Sequence, residues 1–472
     1  MTRSRLASTA AFGLLALTVA ALAPITADAA TTTAMAGWSC RVKGAEVPTT
    51  MWTGADGDWS DASWSSPRPP GADQEPTAHV CIKGPVTVTI GPASGRVDLA
   101  SLVLAKGATV RVSAGAALFV WNDDQADFSL VRADSAIRVS GGSLGGPGQL
   151  LVRGLVTLAP EGGQPASLGT SDGADVPPSG GRLVLDDQGR LRIDAPSRMT
   201  TAYRVEARGR VTIAGEGALS ADHGTSFALV DQVRHAGEGT LELRDASGYA
   251  EGDPGSDLPL STFSNQGRIV KTGSGLSRIA ADYSASGGSS TEVDNGSLLL
   301  PDGTDAAATV APGATYGTGV CDASSTDCGV GTSRERPQLA WLTIPPSEDD
   351  GSEVVVKLEP DAAGDQALGS VVEAHATHLV VSRAAPAVLQ LRYDSTLLQK
   401  DGSLRTWRDL EVMHQPSNGS YHRVVPCTKG GAIPRDEVAC VDRRGTPESS
   451  RQVDGGVLMV VLTTETSRWR VP

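Results

Sequence analysis

The chain has 472 residues, with 54 acidic against 40 basic side chains, a formal net charge of -14, 55 glycines, 28 prolines and an aromatic fraction of 4%. So acidic a chain is poorly suited to nucleic acid or an anionic membrane, whose phosphates call for clustered Lys and Arg. So few aromatics are poor filling for one large globular core, although the length allows two or three domains of about 150 residues each.

At the N-terminus, MTRSR precedes the apolar run AAFGLLALTVAALAPI and then Ala27-Asp28-Ala29, the three parts of a secretory signal. Cleavage is expected after Ala29, which makes 1–29 a signal peptide; it removes Arg3, Arg5 and Asp28 and leaves a mature chain of net charge -15. No cysteine at that point offers a lipid anchor, and no later apolar stretch approaches the roughly 18 residues of a membrane span. The mature chain is expected to be secreted and extracellular, with no membrane span.

All six cysteines lie in the mature region as sequential neighbours: Cys40 with Cys81, Cys321 with Cys328, Cys427 with Cys440. Disulfides between neighbours are expected, since each pair falls inside one module and the exterior is oxidising; spacing alone does not fix the connectivity. Metal-binding thiolates would want CxxC clusters beside histidines, and the sequence has none.

Residues 30–85 form a Trp-rich N-terminal module. In MWTGADGDWSDASWSSPRPPGAD, residues 51 to 73, Trp52, Trp59 and Trp64 fall close together. Indoles can stack on sugar rings, which makes the three candidate carbohydrate contacts. Packed inward, they would instead plug the open first coil of a repeating structure, whose unpaired edge would otherwise recruit other chains. Cys40 and Cys81 flank the segment and favour the cap. Asp56 and Asp58 offer two calcium-type ligands within ADGDW, but the string lacks the rest of a calcium loop, so no cofactor is assigned.

From 86 to 330 the chain reads as short β-prone runs such as VTVTI, ATVRVS, RLVLDD, GRLRID and RVTIAG, separated by Gly, Ser, Asn and Asp turns, with no sustained helical periodicity. Aligning FSNQGRIVKTGSG, residues 263–275, with the segment C-terminal to it sets Phe263 against Tyr283 and Gly267 against Gly287, and puts Asn265 and Asn295 at turns and Ile269-Val270 and Leu298-Leu299-Leu300 on successive strands. A period near 20 with interchangeable aliphatic positions is what a parallel β-helix requires, since each coil buries its apolar face only by stacking, at about 4.8 Å per coil. On the order of ten coils would make a rod of about 50 Å. Glycine is expected where the coil turns with positive φ, and Arg268 and Lys271 are expected to point outward.

The stretch FSNQGRIVKTGSGLSRIAADYSASGGSSTEVDNGSLLL resembles the F-x-N-x-G-x-[VIL]-x-K-x-G-x-G repeat of secreted bacterial β-helical surface proteins, with Ser286 and Tyr283 departing from the pattern in the second unit. The tryptophan segment is similar to the W-x-G-x-G-x-W-x-x-x-x-N-W start of many such proteins, with Ser63 where Asn is usual and Ala55 adding one residue between the glycines.

Polar GTSRERPQ and PPSEDDG mark a linker over 331–350. Beyond it, longer alternating strands from 351 to 472, with Asn418-Gly419 as a hairpin signal, resemble an immunoglobulin-like C-terminal β-sandwich through LQLRYDSTLL and VLTTETSRW. Alternation in the last strands sets Val457, Met459 and Val461 together and makes Trp469 a packing residue.

Polysaccharide-active β-helices need convergent chemistry: paired carboxylates about 5 to 9 Å apart for hydrolysis, or a calcium cluster with a basic residue for elimination. Asn122-Asp123-Asp124 and Asp186-Asp187 abut turns, and neighbours on a strand point to opposite faces. His223 and His235 lie in loop-like sequence, and the H-x-x-H of His375 and His378 falls on a strand that splits it across faces. No GxSxG or HExxH is present. The expectation is an all-β protein: a right-handed parallel β-helix, a solenoid, followed by a C-terminal antiparallel β-sandwich. It would be a non-enzymatic secreted structural or adhesive surface or matrix protein, presenting a binding surface to an extracellular glycan or to a matrix or cell-surface protein. The alternatives are a polysaccharide lyase or glycoside hydrolase using a groove on the rod, or a carbohydrate-binding module.

Overall fold

The computed structural model describes residues 50–71, 78–121, 129–169, 181–200, 203–215, 217–222, 224–230, 239–251, 261–286, 288–301, 307–318, 338–346, 351–359, 370–378, 381–400, 403–416, 419–453, 456–465 and 467–472. All belong to one compact unit, Cys40–Pro472. The expected signal peptide, Cys40, Asn122-Asp123-Asp124, His223, His235, Gly287, Cys321, Cys328 and Asn418 lie outside the described residues.

Short β-prone runs separated by turns wind here as a parallel β-helix. From His79–Lys83 to Ser297–Leu300 there are 27 strands, three per coil, making nine coils among the described residues. The first strands of successive coils form a ten-stranded sheet and the second strands a sheet that reaches sixteen. The third strands form a seven-stranded sheet, linked by the single bridge of Tyr249 to Ile279 to a nine-stranded fourth sheet.

The predicted alignment is the observed register in the first sheet, where Phe263 stands opposite Tyr283. It misplaces the aliphatic pairs: Ile269 faces Thr291 in the second sheet, whereas Leu298 faces Ser277 in the fourth. A coil has three strands, so apolar doublets recur in different sheets.

Alternation on each strand sends one row inward. In the second sheet Val211, Leu241 and Ile269 stack on successive coils, and so do Ile213, Leu243 and Lys271. Apart from the lysine these are aliphatic, all fully buried, and they belong to one core running from Trp52 to Val471. Lys271 corrects the sequence expectation. Ile269 and Lys271 are two residues apart and share a face, so the lysine is buried too.

The glycines of the 263–275 motif also divide differently from expectation. Only Gly275 has positive φ, 89°. A Cβ on Gly267 would meet the Gly239 carbonyl oxygen at 2.1 Å, and one on Gly273 would meet the Asp245 nitrogen at 2.1 Å. These two glycines admit the backbone of the preceding coil.

The expected linker, 331–350, contains strand Gln338–Thr343, which pairs antiparallel with Thr315–Thr318 of the rod on one side and with Ala387–Asp394 on the other. Strand Ser352–Glu359 likewise adds antiparallel to Ala308–Val310. The C-terminal strands thus extend two sheets of the rod as two antiparallel layers. Val354, Val372 and Trp469 of one layer share the core with Leu389, Tyr393, Val457, Met459 and Val461 of the other. Cys427 and Cys440 are joined there, with S–S 2.04 Å.

Candidate functional site

At the start of the rod, Thr50–Met51 and Gly57–Asp58 add one parallel strand each to the first and second sheets. Trp52, Trp59 and Trp64 are 5%, 1% and 6% exposed. Trp64 packs edge-on against Trp52 at 4.9 Å and tilted against Trp59 at 4.6 Å. Each indole N–H is used internally: Trp52 donates to Ala55 O, Trp59 to Pro70 O and Trp64 to Trp59 O. No indole face is open to a sugar ring, which corrects the reading of these residues as carbohydrate contacts. Cys81 is disulfide-bonded.

The calcium candidates are committed to the same turns. Asp56 accepts from Thr87 N–H at 2.7 Å, while Asp58 accepts from the Ser60 hydroxyl at 2.6 Å and its N–H at 3.0 Å. Those bonds favour the ionised form and hold the Asp58 carboxyl below its ordinary value. Among the described residues no three His, Cys, Asp or Glu side chains group as metal ligands. His375 pairs with Glu373 at 2.6 Å, and Glu373 also takes Lys357 at 3.2 Å and Arg468 at 3.3 Å.

The interior of the FSNQGRIVKTGSG coil carries its own polar arrangement. Asn265 is buried, accepts from Gly267 N–H at 3.0 Å and donates to the Tyr283 hydroxyl at 3.2 Å. The Lys271 ammonium donates to Gly273 O. Burial pulls this lysine down to about 8, against the opposing pull of the Asp245 carboxylate.

Around the coils, charges pair off between neighbours. Arg111 meets Glu161 at 2.5 Å, Arg198 meets Asp222 at 3.0 Å, and Arg182 and Arg268 meet Glu206 and Glu292 on the next coil. Such exposed pairs contribute only about 0–1 kcal/mol each. Their consequence is that acids are used up locally.

One depression on the outer face of the second sheet departs from this balance. Its charged lining is Arg153, Asp187, Arg190, Arg192, Arg210 and Arg244. Three of these arginines are held by acids: Arg153 by Asp186 at 2.7 Å, Arg192 by Asp194 at 3.0 Å and Arg244 by Glu242 at 2.8 Å. Hydrogen bonds from Arg244 keep the Glu242 carboxyl below its usual range. Arg190 and Arg210 are exposed, stand directly opposite one another on adjacent coils, and have no ion-pair partner among the described residues. Sequence reasoning marked Asp186-Asp187 here and missed the arginines. The signal was present as Arg-Leu-Arg in GRLRID followed by Arg-Val in GRVTIAG, outward positions that a register twenty residues apart superposes.

No protein-family model and no curated protein matches the chain. Among solved structures, the enzymatically active domain of tailspike protein 4 of bacteriophage CBA120 is similar at 10% identity and a TM-score of 0.19, over 83% of this chain; the chain spans 63% of that structure's length. The assignment as a β-helix rests on the sheet registers and not on this likeness.

Proposed function

We propose that the chain is a secreted, non-enzymatic surface or matrix protein whose β-helical rod presents a binding face to an extracellular glycan or to a matrix or cell-surface protein. In this reading the tryptophan segment is the cap of the first coil, and the C-terminal layers are an immunoglobulin-like module carried at the other end. The observation that carries it is the arginine face of the second sheet: five arginines line it against one lining acid, Asp187, and the neighbouring carboxylates Asp186, Asp194 and Glu242 are each engaged by an arginine. Glycoside hydrolysis would instead want two carboxyl groups facing across the scissile bond, one of them kept protonated. The test is a glycan and matrix-protein array on the mature chain beside a reducing-sugar assay on acidic polysaccharides. Saturable binding without new reducing ends is the expected result; new reducing ends would replace this reading by that of a lyase or hydrolase.

A further inference from the structure

The geometry points to an acidic polysaccharide, a polymer of carboxylate-bearing sugars, as the ligand of the Arg190 and Arg210 face. This deepens the reading of the rod as a presenting surface and rests on it. Like charges set directly opposite on neighbouring strands destabilise a sheet. Elsewhere on the coils that cost is relieved by an acid: where Arg182 stands opposite Arg204, Arg182 is held by Glu206. Among the described residues Arg190 and Arg210 make no ion pair, and Asp187, the acid that lines the same depression, makes none either. Glu242, the acid whose charge Arg210 feels, already accepts two hydrogen bonds from Arg244, at 2.8 and 3.1 Å. An added carboxylate between the two guanidinium groups would relieve the repulsion and accept charge-assisted, bidentate hydrogen bonds.

The surroundings select the kind of anion. On the same sheet the pair is flanked by Leu155, opposite Arg190 on the preceding strand, by Thr240, opposite Arg210 on the following one, and by Thr212, two residues along the strand of Arg210. The floor between them includes Gly154, Gly189 and Ala214. Small residues thus leave room between the charged and polar side chains, and the lining comes from several successive coils, so the depression runs along the rod. It has no aromatic platform of the kind that single-stranded nucleic acid stacks on. It has no free strand edge or apolar groove, the two devices that most often capture a peptide, because these strands are paired on both sides. A hydroxyl-rich polymer with carboxylates repeated along its length meets every feature that remains.

The test uses the full secreted chain and polygalacturonate oligomers, with the fully methyl-esterified polymer as a neutral twin. Calorimetry is expected to show binding to the acid form only, weakening severalfold between about 50 and 200 mM salt as counterion release requires. R190Q/R210Q should lose about tenfold or more in affinity, about 1.4 kcal/mol, whereas R204Q, an exposed arginine of the first sheet, should bind as the parent does. Without ligand, R190Q/R210Q should melt no lower than the parent. Equal binding of the neutral twin, equal loss in R204Q, full affinity in R190Q/R210Q, or equally tight binding of polyglutamate or duplex DNA would each overturn the inference. The two conclusions fail separately. New reducing ends would remove the non-enzymatic reading but leave the ligand class, and an array hit that maps to another face would leave the rod but remove this site.

Discussion

The rings of Phe227 and Phe263 lie stacked inside the rod, 5.1 Å between centroids and 6° between planes, and Tyr283 continues the stack at 5.8 Å and 11°. One phenylalanine thus supports two neighbouring coils. Phe263→Ala should cost about 3–5 kcal/mol in a denaturant melt, the range for a large aromatic removed from a tight core. A loss under about 1 kcal/mol, as a surface substitution would give, would mean the stack is not closely packed.

Lys271 makes the stability of this region depend on alkaline pH. Below about 8 both the folded and unfolded chains hold its proton, and the folded state bears the full cost of a buried charge. Above that pH the folded chain releases the proton while the unfolded chain keeps it up to about 10.4, so stability rises across that window. Lys271→Met should abolish the rise. Parallel stability profiles for parent and variant from pH 7.5 to 10.5, roughly the interval set by these two values, would sink the assignment.

His414 makes the opposite end sensitive to acid. It is buried against Trp469, 4.4 Å between ring centroids, and its Nε2 lacks a hydrogen-bond partner among the described residues. Burial, helped by the charge of His422, pushes its imidazole below the ordinary value of 6.5. The unfolded chain therefore takes up a proton first as pH falls through about 6.5, and stability drops. His414→Phe should keep the ring stack and flatten that part of the melting profile; an unchanged acid slope would assign it to other groups.

The joint between rod and C-terminal layers depends on Gly317. A Cβ there would meet Trp341 Cβ at 2.4 Å and the Ala340 carbonyl oxygen at 2.6 Å. Because one of these atoms is backbone, the clash cannot be relieved by a rotamer change. Gly317→Ala should cost about 1–3 kcal/mol, and limited proteolysis should show earlier cutting in the C-terminal layers. Parent-like stability would show that the seam can open to accept a methyl group.

Much of the fold was legible because a solenoid writes its period into the chain. The match of Phe263 to Tyr283 was visible as twenty residues of spacing, and the same register is what stacks the aromatic rings. The tryptophan segment was legible as a choice between plug and platform. That its three indoles turn inward is a matter of packing, because an indole is equally suited to either position. Lys271 was misread for another reason: charge was allowed to override alternation, whereas a long aliphatic stem lets an ammonium reach a carbonyl from an inward position. The continuous join at Gln338–Thr343 was hidden by the polar residues just before it, which look like a linker whether or not the next strand is paired on both sides.

The sequence by itself determined the repeating β architecture, the aliphatic interior and the acidic balance, since these arise from local alternation and composition. Tertiary structure alone decided which outward side chains become neighbours. Arg190 and Arg210 are twenty residues apart along the chain and one coil apart in space. Their opposition without an ion-pair partner among the described residues comes from the register of stacking, a relation among coils that no single stretch contains.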